Sequence, residues 1–121
     1  MNPLSLDVDG SLTATKYDAL TDGLLVIRYL SGSTGTSLTT GALGGTATRT
    51  DPAAIEAYLD GIQPVLDVDG DGNADAPTDG LLIIRYLFGL RGDALIAGAL
   101  APTATRTTAP AIESYLANLT P

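Results

Sequence analysis

The stretch Asp67-Val68-Asp69-Gly70-Asp71-Gly72-Asn73-Ala74-Asp75-Ala76-Pro77-Thr78-Asp79 sets five carboxylates in thirteen residues, with no Lys or Arg among them. Like charges about 4 Å apart repel by roughly 1 kcal/mol in water and by about 4 kcal/mol at an effective dielectric of about 20. A compact loop that holds several such pairs therefore needs a cation among its oxygens. The spacing suits one. Acids at loop positions 1, 3 and 5 alternate, so each can turn inward on a hard ion. Gly72 at position 6 permits a sharp turn, the Asn73 carbonyl at position 7 adds an oxygen, and Asp75 at position 9 can act through water. Calcium, which takes about six to eight oxygens at roughly 2.3–2.6 Å, fits better than magnesium, which prefers a tight octahedron with retained waters.

This is the EF-hand loop pattern with two departures. The closing acid is Asp79 at position 13, where an EF-hand carries Glu at 12, and here position 12 is Thr78. Either the loop bulges by one residue or Asp79 reaches back from the start of the next helix. Prolines close before each loop (Pro3, Pro64) predict that no helix enters it. A DxDGDG loop followed by one helix ending in RYL resembles the dockerin family and dockerin-like calcium repeats of secreted bacterial proteins, over about 25 residues per unit, chiefly 67–90. The resemblance implies calcium ligation by Asp67, Asp69, Asp71, the Asn73 carbonyl and Asp79. It also implies an extracellular or cell-surface setting and, for dockerins, a cohesin partner. The compact dockerin pattern is not matched by the long period and the second helix of each unit.

A weaker copy of the loop opens the chain. Asp7 and Asp9 match Asp67 and Asp69, Ser11 stands where Asp71 does, and Leu12 replaces the turn glycine. After three extra residues, Asp18 and Asp22 match Asp75 and Asp79. The first site would use Asp7, Asp9, Ser11, Asp18 and Asp22; a degenerate loop kept for structure is the competing reading.

The elements around the loops repeat as well. Residues 21–64 align with 78–121, and 26 of the 44 positions are identical, so one supersecondary unit is used twice. Units at 1–63 and 64–121 follow. TDGLLVIRYL and TDGLLIIRYL read as buried helices, with Thr78-Asp79 as a cap and Gly89 as a stop. The Gly-rich 88–107 is ambiguous, with a short helix expected at Asp93–Leu100. After Pro52 and after Pro110 an apolar stripe recurs at helical spacing: Ile55, Tyr58, Leu59 and Ile62, then Ile112, Tyr115, Leu116 and Leu119. The predicted fold is mainly α, two tandem loop–helix–linker–helix repeats with EF-hand-like calcium loops sharing a core. Arg28 and Arg85 are expected to cover apolar surface or to pair with Glu56 and Glu113, and Arg49 and Arg106 of the two TATRT segments to cap carbonyls. The matched Tyr29, Tyr58, Tyr86 and Tyr115 are expected in packing. Arg91-Gly92-Asp93 and the sequon Asn118-Leu119-Thr120 are matches too short to weigh.

Composition closes other routes. Without Cys or His the chain lacks thiolate nucleophiles, imidazole bases and the usual transition-metal ligands. A net charge of −8 argues against nucleic acid. Twelve Asp against two Glu point to loops and ligands, not to a solubilising helix surface. No run is long and apolar enough for membrane insertion, and MNPLSLDVDG does not read as a signal peptide. The crowding of acids on one loop suits a cation, not paired catalytic carboxylates across a cleft. The expected function is therefore a non-catalytic calcium-binding repeat module for structure or interaction. The chain starts and stops at the same phase of its repeat, which suggests either a fragment of a larger protein or head-to-tail self-assembly into filaments. The alternative is an anchoring module for a cohesin-like partner.

Overall fold

The computed structural model describes residues 5–10 and 17–120. Its described residues are mainly helical and contain no strand. Each unit carries three helices in the same order. The first has α1 (Leu24–Leu30), α2 (Thr36–Thr39) and α3 (Pro52–Ile62); the second has α4 (Leu81–Leu87), α5 (Asp93–Ile96) and α6 (Ala109–Ala117).

Helices α1 and α4 do not begin with the expected Thr-Asp cap. Both wind out of a widened turn, Ala19–Gly23 and Ala76–Gly80, whose backbone bonds skip five residues: Gly23 N–H donates to Asp18 O at 3.2 Å, and Gly80 N–H to Asp75 O at 3.1 Å. Such wide turns are rare and absorb one residue more than an α-turn. Asp79 sits inside this turn with its carboxylate directed to the loop, so it is not available as a cap. Helix α5 stops at Ile96, short of Leu100, where Ala97 turns extended. Helices α3 and α6 follow the predicted stripe, with Ile55, Leu59, Ile62, Ile112, Leu116 and Leu119 buried. Thr108 caps α6 by accepting from Ala111 N–H at 3.3 Å; Asp51 makes no such side-chain bond at α3. A single turn of 3-10 helix at Gln63–Leu66, carrying Pro64, separates α3 from the second loop, so no α-helix runs into Asp67.

Buried side chains from both units form one cluster, running from Leu6 and Val8 through Leu25, Leu38, Ile55 and Leu66 to Leu82, Leu95 and Ile112. Each buried Leu or Ile contributes about 1.5–3 kcal/mol, which gives this aliphatic chain its core. The units join through α1 and α4. A Cβ on Gly23 would lie 3.0 Å from Ile84 Cγ1, and one on Gly80 would lie 3.0 Å from Ile27 Cγ1, so both crossings depend on a bare backbone. A second junction closes the pair: Leu6 N–H donates to Leu119 O at 2.8 Å.

The matched polar residues tie the linkers down. Arg28 donates to Leu38 O (3.1 Å) and Thr40 O (2.6 Å), and Arg85 to Leu95 O (3.1 Å) and Ala97 O (2.7 Å), closing the ends of α2 and α5. The expected pairing with Glu56 and Glu113 does not form. Those carboxylates accept instead from Gly35 N–H (3.1 Å) and Gly92 N–H (2.9 Å), the residues that precede α2 and α5. Backbone carbonyls left at helix ends need donors, and a guanidinium supplies several at once.

Candidate metal centre

The carboxylates of Asp67, Asp69, Asp71 and Asp79 converge, each offering an oxygen within 4.8 Å of the others. Those of Asp7, Asp9 and Asp22 do the same in the first unit. Both acidic groups could hold a metal ion. Asp69, Asp79, Asp9 and Asp22 are fully buried.

In the second loop, backbone amides fix the carboxylates. Asp79 accepts from Asp69 N–H at 3.1 Å through Oδ1 and from Asp75 N–H at 2.8 Å through Oδ2. Asp67 accepts from Asp71 N–H (3.2 Å) and Gly72 N–H (2.9 Å), and Asp71 accepts from Asn73 N–H at 3.0 Å. The extra residue noted between loop and closing acid is taken up in the helix start, where the widened turn returns Asp79 to the loop. The first loop repeats the arrangement: Asp22 accepts from Val8 N–H (2.7 Å), Asp9 N–H (3.3 Å) and Asp18 N–H (2.9 Å).

Asp69 also fastens the loop to the linker above it. Its Oδ2 accepts from Ala101 N–H at 2.8 Å, and its backbone oxygen accepts from Thr105 N–H and Arg106 N–H, each at 2.9 Å. Asp9 makes the matching bonds to Gly44 N–H (2.7 Å), Thr48 N–H (3.0 Å) and Arg49 N–H (2.8 Å). Thr105 donates to Gly70 O at 2.8 Å, and Arg106 to Val68 O at 2.8 Å while its guanidinium lies 4.1 Å over the Tyr115 ring. Arg49 likewise donates to Val8 O and stacks 4.0 Å over Tyr58. The repeated TATRT segment is thus the lid of the acidic loop, a role its composition alone did not reveal. Gly70 takes φ +71° under this lid, and a Cβ there would sit 2.2 Å from Thr105 Oγ1.

Electrostatics follows from the crowding. Burial, with the charges of Asp69 and Asp67 adding to it against the amide bonds, pushes the Asp79 carboxyl up to about 6. Burial, with Asp9 and Asp7 nearby, pushes Asp22 to about 7. Burial also raises Asp67, whereas the Asn73 N–H holds the partly exposed Asp71 below the usual range. The group as it stands prefers to keep a proton, and a divalent ion would remove that preference. The donor set fits a hard cation: it is all oxygen, negatively charged, and held by amides that leave other lone pairs to converge. Beside Asp67 a cleft of about 450 Å³, lined by Gln63, Pro64, Gly72, Asn73 and Ala74, gives access from solvent.

Of the residues singled out by spacing, Asp67, Asp69, Asp71 and Asp79 come together, as do Asp7, Asp9 and Asp22. Asp75 is exposed and Asp18 half-buried, and neither belongs to its cluster; each instead gives its N–H to the closing acid. Asn73 is exposed at the edge of the cleft. Ser11 lies outside the described residues. No helix among the described residues is long and apolar enough to cross a membrane. Comparison with protein-family models, curated proteins and solved structures returns no match.

Proposed function

We propose that this chain is a non-catalytic calcium-binding repeat module, with one ion held by Asp67, Asp69, Asp71 and Asp79 and a second by Asp7, Asp9 and Asp22. The observation that carries this reading is the delivery of a buried closing carboxylate, by the same widened turn, onto two acidic loops of the same chain. A purely structural role would not call for four acids at one point, because each added charge raises the cost of burying the next. Calcium is preferred over magnesium because it takes about six to eight oxygens and accepts many protein carboxylates at once, whereas magnesium keeps several of its waters and uses only one or two carboxylates. The Asn73 carbonyl and a water on Asp75 would complete its shell, as the dockerin-like spacing implies. The absence of His and Cys, and acids gathered at the ions instead of across a cleft, support a binding role over catalysis. Loops of this kind in extracellular modules bind at roughly 10⁻⁴–10⁻³ M, which suits an extracellular or cell-surface setting.

The ion would hold each loop to its lid and thereby lock the module for interaction. The Leu6–Leu119 bond favours a self-contained module that binds a separate, cohesin-like partner, since it occupies within one chain the edges that head-to-tail filament assembly would need. Terbium luminescence tests the ion reading. Tyr115 donates to Val65 O just before the loop and lies under the Arg106 guanidinium of its lid, close enough to sensitise an ion bound there. Emission should appear on adding terbium, be displaced by calcium far better than by magnesium, and fall in Asp79→Asn. Absent emission, or equal displacement by magnesium, would refute the proposal.

A further inference from the structure

The two units share a core yet differ sharply just after their first helices. Where the first unit has Ser31, Ser33 and Thr34 after α1, the second has Phe88, Leu90 and Arg91 after α4. Phe88 is 59% exposed and Leu90 39% exposed, so these substitutions serve no core. Leu20, 60% exposed, lies in the turn that packs against α4, where the first unit's partner position in the second is Pro77. The same end of α4 borders a cleft of about 270 Å³ lined by Tyr17, Tyr86, Leu87, Arg91 and Thr120. Tyr17 holds φ +58°, a conformation that non-glycine residues seldom adopt and that concentrates at binding sites.

Arg91 gives this surface its sign. Among the described residues it is the one exposed arginine. Its guanidinium lies 3.8 Å over the Tyr86 ring, and one nitrogen donates to Tyr86 O (3.0 Å) and Leu90 O (2.8 Å). Both bonds use Nη1, so among the described residues Nε and Nη2 of this exposed side chain carry no bond, on a chain whose net charge is −8. A guanidinium accepts a carboxylate through two parallel bonds.

We infer that the end of α4 docks a segment of another protein that carries an apolar side chain beside a carboxylate, the apolar group seating against Phe88, Leu90 and the Tyr17–Leu87 cleft and the acid on Arg91. Charge complementarity and area select this occupant. Leu20, Phe88 and Leu90 are the exposed large apolar side chains among the described residues, and three side chains fall well short of the ~800 Å² per partner of a stable dimer. A second copy would also bring together two acidic chains. The inference names the partner chemistry for the module proposed above, and rests on that reading only in that the ion holds the fold.

The test selects random phage-displayed peptides on the calcium-loaded chain and titrates the enriched sequences, as synthetic peptides, against variants. Enriched peptides should combine Leu, Ile or Phe with Asp or Glu. They should lose at least tenfold in affinity for F88S/L90S/R91T, which grafts the first unit's own residues and should keep the wild-type calcium-dependent melting temperature. Arg91→Glu, a single exposed change, should lose at least as much, and replacing the peptide's acid by Lys should do the same. No enrichment, enrichment without acids, or binding unchanged by either variant overturns the inference. A wild-type dimer in sedimentation velocity that the graft abolishes overturns it in favour of a second copy. Peptide binding that persists in a chain whose stability ignores chelator supports this inference and refutes the calcium reading alone.

Discussion

Asp69→Asn should change the sign of its effect with calcium. Asp69 is fully buried, its Oδ2 accepts from Ala101 N–H at 2.8 Å, and its charge is among the causes that lift Asp79. The amide keeps an oxygen for Ala101 and removes one of four carboxylates whose oxygens lie within 4.8 Å of one another. Relief of that repulsion is worth about 1–4 kcal/mol for a close pair, against about 1 kcal/mol for weakening a charge-assisted bond. In chelator at pH 8 the variant should therefore equal or exceed the wild type, by up to a few kcal/mol. Calcium reverses the order. At about a hundredfold excess over Kd the wild type gains about 2.7 kcal/mol; a variant binding about a hundredfold more weakly gains only about 0.4 kcal/mol. With roughly 4 °C per kcal/mol for a domain of this size, the calcium-induced rise in Tm should shrink from about 10 °C to about 2 °C. Circular-dichroism melts in EDTA and in calcium read both numbers. An equal loss of Tm in the two media would refute the reasoning and make Asp69 a structural acceptor only.

The raised carboxyls of Asp22, at about 7, and Asp79, at about 6, predict opposite pH trends with and without the ion. Their protons are held more tightly folded than unfolded, so in chelator stability should fall as pH rises from about 4 to about 8 and level off above; melts at pH 5 and 8 check this. With calcium the affinity should rise over the same window, because binding expels those protons, which calorimetry in buffers of different ionisation heat detects. Gly70→Ala forces a Cβ to 2.2 Å from Thr105 Oγ1 at φ +71°, whereas Gly72→Ala at φ +95° meets nothing within 4 Å. The second should cost about 1–2 kcal/mol and the first clearly more, measured by denaturant unfolding. Arg106→Met removes the bond to Val68 O and the stack on Tyr115, and should cost about 1–3 kcal/mol and weaken calcium binding by loosening the lid.

Helical content and the long stripes were legible because apolar periodicity needs only the local sequence: Ile55 to Ile62 and Ile112 to Leu119 could pack in no other way. The acid spacing likewise pointed to the residues that converge. What escaped depended on partners distant in the chain. Gly23 and Gly80 look like punctuation in TDG, yet they are the points at which α1 and α4 touch the other unit's isoleucine. The TATRT segments carry no apolar period, so nothing local showed that they would cover the loops through the Asp9 and Asp69 carbonyls. Asp79 read both as part of a helix cap and as the acid that closes the loop, and the widened turn, which directs its carboxylate to the Asp69 and Asp75 amides, leaves only the second role. Glu56 and Glu113 lie within plausible reach of Arg28 and Arg85 along the chain, but amides at Gly35 and Gly92 compete for them and win.

Calorimetric titration of calcium into the chelator-stripped chain tests the central claim most directly. The account predicts saturable binding that Asp71→Asn and Asp79→Asn weaken, accompanied by a rise in Tm that EDTA reverses. A chain that takes up no calcium and melts at the same temperature in EDTA would contradict it.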